Sequence, residues 1–424
     1  MAMNFNPQTA EFWDSGDLQK ELDRIFEICN GCRLCYNLCP SFEVLFGKID
    51  ELDIEGSKVP IDVKENIVNL CYECKLCFPK CPYTPPHHYG LDFPRLMLRA
   101  RAIRAREKGV SLQDKFLGKT DFIGAIGSTF PTMMNWANRN PLARSMMHGT
   151  VGIHKQRNLP SYHGETFAEW FRKHKRPANR DYRNGKVALF YTCTVNYNHP
   201  EIGIATVEVL EHNGIDVVVP EQRCCGMPAL DGGDIDAAQE MINFNVRSFQ
   251  SAVDSGRTIV VPGPTCSYMM KQEYPLLGQT EGTKKIASGT MDICEYLVRL
   301  HKEQKLQTDF SVPQGRISYH LACHLKAQNI GFKSKELMSL IPGTEVEMIQ
   351  KCSAVDGTWG LKKEYFELSL KVAKPLFDRI EKNHPAAVVS DCALAGLQIQ
   401  QGTGRSFKHP IQVLHAAYGL NSGG

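Results

Sequence analysis

A chain of 424 residues, 42% apolar and 22% charged with a formal charge of only +3, asks for two or three domains and excludes a surface given over to nucleic acid. No apolar run approaches the roughly 18 residues that span a bilayer, and the acidic opening "MAMNFNPQTAEFWDSGDLQKELDRIFE" lacks the charged-then-apolar plan of a secretion signal. The expected compartment is therefore the cytosol, where sixteen cysteines point to metal or redox chemistry rather than disulfides.

In chain order, "ELDRIFEI" places Leu22, Ile25 and Phe26 at helical spacing just ahead of "CNGCRLCYNLCP". The rhythm C-x2-C-x2-C-x3-C-P in Cys29, Cys32, Cys35 and Cys39 returns as "CYECKLCFPKCP" in Cys71, Cys74, Cys77 and Cys81. This is the spacing of bacterial ferredoxins, in which three thiolates wrap one 4Fe–4S cluster and the fourth ligates its neighbour. The expected sets are thus Cys29, Cys32, Cys35 and Cys81 for cluster 1, and Cys71, Cys74, Cys77 and Cys39 for cluster 2. Structural zinc needs only two C-x2-C pairs, which would leave a surplus cysteine in both copies. Pro40 and Pro82 are expected to turn the chain after each run, and Arg33, Lys75 and Lys80 to moderate the charge of anionic clusters. His87 and His88 follow Cys81 closely, but both ligand sets are already full. The long, partly helical link between the runs predicts an all-α ferredoxin-like domain over 1–93, and this resembles the C-terminal domain of fumarate reductase iron–sulfur subunits.

Residues 94–185 read as a helical connecting segment. "PRLMLRARAIRAREKG" predicts a helix with proline at its start and glycine past its end. Leu96, Ala100 and Ile103 form its apolar stripe, while Arg95, Arg99, Arg101, Arg104, Arg106 and Lys108 cover the rest. That basic face reads either as solvated or as a docking surface for an acidic partner or anionic lipid, which would make the protein peripheral on the inner face of the cytoplasmic membrane. The next stretch is rich in Met133, Met134, Trp136, Met146 and Met147, expected to pack beneath the clusters or else to meet a membrane or quinone. Pro131 and Pro141 argue against one continuous membrane helix.

From residue 186 the pattern becomes strand, helix, strand. "KVALFYTC" ends at Cys193, "GIDVVVPEQRCCG" near Cys224 and Cys225, and "TIVVPGPTC" at Cys266. With an offset of 130 residues from Cys193 to Cys323 the pattern returns, as "RISYHLAC", "GTEVEMIQKCSA" and "AAVVSDCALAG" carry Cys323, Cys352 and Cys392. The tails "GTMDICEYLVRL" and "KHPIQVLHAAYG" correspond too. This predicts two repeated α/β modules with parallel sheets, the first over 186–305 and the second, degenerate, over 316–420. Ligands on such sheets collect at the carboxyl ends of strands, where all seven cysteines fall. Cys193, Cys224, Cys225 and Cys266 are expected to hold a third iron–sulfur cluster. The second module offers only Cys323, Cys352 and Cys392, with Ser353 breaking the adjacent pair. His324 reads either as a fourth ligand there or as a satisfied structural histidine. Cys294, inside a helical stretch, reads as a small buried hydrophobe.

The spacing from Cys193 to "CCG" and on to Cys266 resembles the cysteine-rich CCG domain. Two such domains behind a two-cluster ferredoxin resemble the C-subunit family of anaerobic glycerol-3-phosphate dehydrogenases. The glycolate oxidase iron–sulfur subunit and the D subunit of heterodisulfide reductase share this layout. "TCTVNYNHPEIG", "CCGMPALDGGD", "CSAVDGTWGLKKE", "SDCALAGLQIQQG" and "PPHHYGLDFPRLMLRA" carry the resemblance, which covers about nine-tenths of the chain. It implies a non-catalytic electron-transfer subunit that takes electrons from a flavin-containing dehydrogenase subunit, or another redox protein, and passes them toward a quinone or other carrier. Heterodisulfide reductases use a full C…CC…C-x2-C set, whereas Gly263 and Val389 stand at the first position of the final pair here. That departure weakens the rival reading, a disulfide reductase working at the CCG site. "GTGR" at 402–405 lacks the spacing and preceding strand of a dinucleotide site.

Overall fold

The computed structural model describes residues 5–177 and 181–420. The first helix, Ser15–Cys32, starts where the Asp14 side chain accepts the Asp17 amide at 2.7 Å. It buries Leu18, Leu22, Ile25 and Phe26 on one face and ends at Arg33, which takes a left-handed φ of 49°. Pro40 does more than turn the chain. It occupies the first turn of a second helix, Pro40–Leu52, where a missing amide hydrogen costs nothing. Phe42, Leu45, Phe46 and Ile49 from that helix meet the first one, and the Phe42 ring lies 4.4 Å from the Phe93 ring. With Ile61–Leu70 they make an α-helical N-terminal domain without strands among its described residues.

The basic stretch forms the helix Phe93–Lys108, capped by the Asp92 side chain. Its arginines turn inward, contrary to the solvated or docking face expected of them. Arg99 donates to the Phe12 and Glu11 carbonyls at 2.8 and 2.6 Å and pairs with Asp17. Arg101 donates to the carbonyls of Val68, Cys71 and Asp231. A guanidinium has five donors and can satisfy several carbonyls at once, so this helix ties the N-terminal domain to the segment around Asp231. Only its last turn, with Arg106 and Lys108, is fully exposed.

The helix Leu112–Gly118 comes next, and after it three short helices, Thr120–Thr129, Pro131–Arg139 and Pro141–Thr150. The two prolines break what would otherwise be one rod, and at 1.5 Å per residue each piece is about 15 Å long. Among the described residues, no helix is long and apolar enough to cross a membrane.

Two α/β modules complete the chain. In the first, β1 (Gly185–Leu189), β2 (Ile215–Val218), β3 (Thr258–Val261) and β4 (Thr290–Asp292) form a parallel sheet in the order β2-β1-β3-β4. In the second, β5 (Gly315–His320), β6 (Thr344–Ile349), β7 (Ala387–Ser390) and β8 (Phe407–Lys408) repeat it as β6-β5-β7-β8. Val187, Leu189, Ile317 and Tyr319 are wholly buried, as strands covered on both faces by helices require. The modules share one apolar core, in which the helix Pro200–His212 packs along Pro410–Ala417. Cys294 is fully buried there.

Candidate functional site

A sheet of order 2-1-3-4 has its switch point between β1 and β3, where loops leave in opposite directions and open a crevice. Cys193 follows β1 and Cys266 follows β3, so the two flank that crevice. The strands stop short of the cysteines. Cys193 opens the short helix Cys193–Tyr197, Cys266 lies in Pro264–Tyr268, and Cys224 and Cys225 sit in the loop after β2. Gly226 follows with a φ of 97°, a left-handed turn that suits glycine. The four thiols run in a chain, Cys193 beside Cys224, Cys224 beside Cys225, and Cys225 beside Cys266.

In the N-terminal domain each run gives its fourth cysteine to the other. Cys29, Cys32, Cys35 and Cys81 line one small cavity. Cys39 lies with Cys71, Cys74 and Cys77, deeper in the protein. Glu73 and Lys75 take left-handed φ values of 55° and 61° to fold that loop inward. Their side chains form an ion pair of 2.7 Å at 1% exposure each, with Arg101 at 3.8 Å from Glu73. Lys75 is thus neutralised by Glu73, while Arg33 pairs with Asp50 at the surface.

Burial pushes the Cys35 and Cys39 thiols up to about 11, against the help of Lys80 for the first and of the Phe42 and Ser41 amides for the second. Cys71, Cys74 and Cys77 are pushed higher, by burial first and then by charged neighbours. The protein's own charges therefore do not hold these groups as thiolates. Four converging sulfurs of this kind fit a bound group that brings positive charge of its own, as iron does. The same donor chemistry holds for the quartet of the first module.

The second module brings Cys323 and His324 together with Asp356, their ligand atoms within 4.8 Å of one another, whereas Cys352 and Cys392 have other close neighbours. Cys352 reaches the N-terminal domain, with its sulfur 3.4 Å from the Tyr72 hydroxyl and its charge felt by Cys39 and Cys74. Cys323 stands 3.7 Å from an Asp356 carboxyl oxygen, and burial raises that carboxyl to about 7. Cys392 lines the cavity above the first module's quartet. His324 has both ring nitrogens engaged, Nδ1 with the Thr265 hydroxyl at 2.9 Å and Nε2 with the Glu73 carbonyl at 2.9 Å. It pins three parts of the chain together, and burial lowers its pKa. Ser353 is buried, and Ala354 takes the left-handed turn that Gly226 takes in the first module. Trp359 seals the same junction, donating to the Asn69 carbonyl at 3.0 Å and stacking on Tyr365 at 4.5 Å.

A cavity of about 240 Å³ lies over the first quartet. Its floor is Cys193, Cys224, Cys225, Cys266 and Cys392, and its roof is the three short helices, which contribute Ile123, Met134 and Met147. The roof is fastened where the Cys224 amide donates to Asp121 at 2.6 Å. Gly124 and Gly127 let it sit directly on Tyr197 and Tyr162, since a Cβ at either would lie within 2.3 Å of those rings. The outer faces of the same helices are bare: Phe122 is 64%, Trp136 61% and Met146 69% exposed. Met134 and Met147 thus pack over the quartet, as one reading of that stretch expected, while Met133, Trp136 and Met146 face away. Sequence reasoning missed Thr120, Asp121, Asp231 and Asp356 at these sites. The glycine spacing in "FIGAIGS" was the available signal for the roof.

Comparison with known proteins agrees with this architecture. The cysteine-rich CCG domain matches residues 187–271 and again 317–400, and the Fer4-like domain of citrate utilization protein B matches 22–108. The C subunit of anaerobic glycerol-3-phosphate dehydrogenase from Escherichia coli (strain K12) is 30% identical over 314 residues, 72% of this chain and 77% of that protein. Lactate utilization protein A of Geobacillus sp. (strain WCH70) is 30% identical over 253 residues, 56% of this chain and 99% of its own length. The B subunit of fumarate reductase (CoM/CoB) from Methanothermobacter marburgensis is 26% identical over 233 residues, 54% of this chain and 45% of its own. Two of these three relatives are thus named as parts of a dehydrogenase and a reductase. With one Fer4-like domain, two CCG domains and this degree of identity, the chain belongs to the C-subunit family of anaerobic glycerol-3-phosphate dehydrogenases.

Proposed function

We propose that the protein is an iron–sulfur electron-transfer subunit that accepts electrons from a flavin-containing dehydrogenase and passes them toward a quinone or other carrier. Cys29, Cys32, Cys35 and Cys81 would hold one 4Fe–4S cluster, Cys71, Cys74, Cys77 and Cys39 a second, and Cys193, Cys224, Cys225 and Cys266 a third. Bound clusters supply one-electron carriers whose potentials respond to charge and burial. The observation that carries the reading is the continuity of the thiols. The first set lies near the surface, the second is deeper and adjoins Cys352 and Cys323, and Cys392 leads to the third beneath the cavity. The chain's own part is to fix these positions and exclude water between them, which the buried Glu73–Lys75–Arg101 group and Trp359 do.

The exposed outer faces of the roof helices support contact with a membrane surface, since helices apolar on both sides are poorly matched to water. Reduction by dithionite followed by reoxidation with ferricyanide, watched by visible absorbance in anaerobic protein, tests the relay. Reversible bleaching is expected, and material without it would refute the reading. The presence of Cys392 over the quartet gives the rival disulfide reductase one observation in its favour. That activity would appear as turnover of a disulfide by the isolated protein, lost in Cys225→Ser.

A further inference from the structure

Four atoms of metal-ligand type converge where the N-terminal domain meets the second module. Cys323 and His324 open the short helix Cys323–Ala327, and Asp356 comes from the loop after β6. One ligand atom from each lies within 4.8 Å of the other two. The Cys323 sulfur is 3.7 Å from Asp356 Oδ2, and His324 Nε2 is 3.9 Å from Asp356 Oδ1. The Glu73 carbonyl, from the loop of the Cys71 run, stands 2.9 Å from the same Nε2. With bond lengths of about 2.0–2.3 Å, ligand atoms around one tetrahedral zinc ion are roughly 3.3–3.8 Å apart. Closing this set on a single ion needs movements of about 1 Å or less.

Orientation and charge both favour a cation here. His324 Nδ1 is 2.9 Å from the Thr265 hydroxyl, which can accept from that nitrogen as well as donate to it. Thr265 can therefore hold the tautomer whose Nε2 lone pair is free for a metal, the arrangement usual for a ligating histidine. Asp356 and Asp231 face Glu73, Lys75 and Arg101. Three carboxylates and two bases fall one positive charge short, and a Cys323 thiolate makes the deficit two. The Asp231 Oδ1 is buried with no hydrogen-bond partner, and its charge is felt by His324. Orphaned buried oxygens ask for an explanation, and a divalent ion beside this one supplies it.

We infer that Cys323, His324 and Asp356 bind one zinc ion, with the Glu73 carbonyl at the fourth position, which otherwise falls to water. Thiolate, imidazole and carboxylate together suit zinc, whereas calcium and magnesium take oxygen ligands. Zinc has no redox chemistry of its own, so the ion acts as a clasp. It ties the loop of the Cys71 run to the second module and fixes two positive charges beside the second set of thiols. None of the cysteines assigned to the three clusters takes part.

Zinc analysis and X-ray absorption at the zinc edge test this on the complete protein, purified anaerobically from zinc-supplemented cells and washed with a weak chelator. About one zinc per chain is expected, bound by one sulfur and three nitrogen or oxygen atoms. Cys323→Ala and Asp356→Asn should each keep less than about a tenth of that zinc, and Cys352→Ser all of it. Thr265→Val should weaken zinc binding about tenfold or more, the loss typical when the partner of a ligating histidine is removed. Thr265→Ser, which keeps the hydroxyl, should restore it. The absorption spectrum of the parent needs no variant, so it answers even where a substitution disturbs folding. Zinc bound by four sulfurs, protein without zinc, or equal zinc in Cys323→Ala and the parent would overturn the assignment.

Discussion

Arg101 offers the sharpest test of how the domains are joined. Its side chain is buried and donates to the carbonyls of Val68 and Asp231 at 2.8 and 3.1 Å, and also to that of Cys71. These carbonyls belong to the N-terminal domain and the first α/β module, and the Glu73 carboxylate is 3.8 Å away. Arg101→Met conserves much of the volume but strands three buried acceptors and leaves Glu73 to Lys75 alone. Hydrogen bonds to a charged group contribute about 1.5–3 kcal/mol each but do not add. Removing one partner from a buried charged group costs about 3–5 kcal/mol, and that is the loss expected. Urea unfolding followed by circular dichroism should show a large fall in midpoint, with iron lost from the Cys71 run at lower urea than in the parent. Lys108→Met, on the exposed last turn of the same helix, should leave the midpoint where it is. If the two variants unfold alike and Arg101→Met instead weakens only binding to a partner or vesicle, the inward role of this helix is refuted.

Further outcomes concern other parts of the structure. Phe130 and Trp136 are 55% and 61% exposed, and burying half of such a side chain stabilises by about 1 kcal/mol or more. The double variant Phe130→Ser, Trp136→Ser should therefore partition at least tenfold less onto anionic phospholipid vesicles in a sedimentation assay. His409 is buried, accepts the Ile411 amide at 3.1 Å through Nδ1, and is held neutral by burial, which lowers its pKa to about 3. The unfolded chain, with a histidine pKa of about 6.5, binds the extra proton between those values. Stability from this group is whole above about pH 6.5 and is lost as pH falls toward 3. His409→Asn should flatten that part of a stability–pH profile, and an unchanged profile would contradict the argument. Cys225→Ser should remove about four irons per chain, counted on four per cluster, while leaving the signals of the N-terminal pair.

What the sequence made legible was whatever local spacing controls. The repeated C-x2-C-x2-C-x3-C-P runs, the period-3.6 apolar faces before Cys29, and the strand-then-cysteine repeats each fix structure within about a dozen residues. The two parallel sheets and the helical N-terminal domain follow from them. The direction of the arginines did not, because Arg101 finds its acceptors at Val68 and Asp231, far away in the chain. Nor did the split of the second module's cysteines, since Cys352 meets Tyr72 only through a domain contact that Trp359 helps to seal. The methionine-rich stretch was ambiguous for a physical reason as well. Its helices are apolar on both faces, so composition alone could not separate packing inward from exposure outward.

The most direct test of the central claim is an iron and acid-labile sulfide count on anaerobically purified protein, followed by electron paramagnetic resonance during a redox titration. About twelve irons per chain are expected, at four per cluster, with three signals that appear at separate potentials. Colourless protein carrying zinc at the Cys29 and Cys71 runs would contradict the claim.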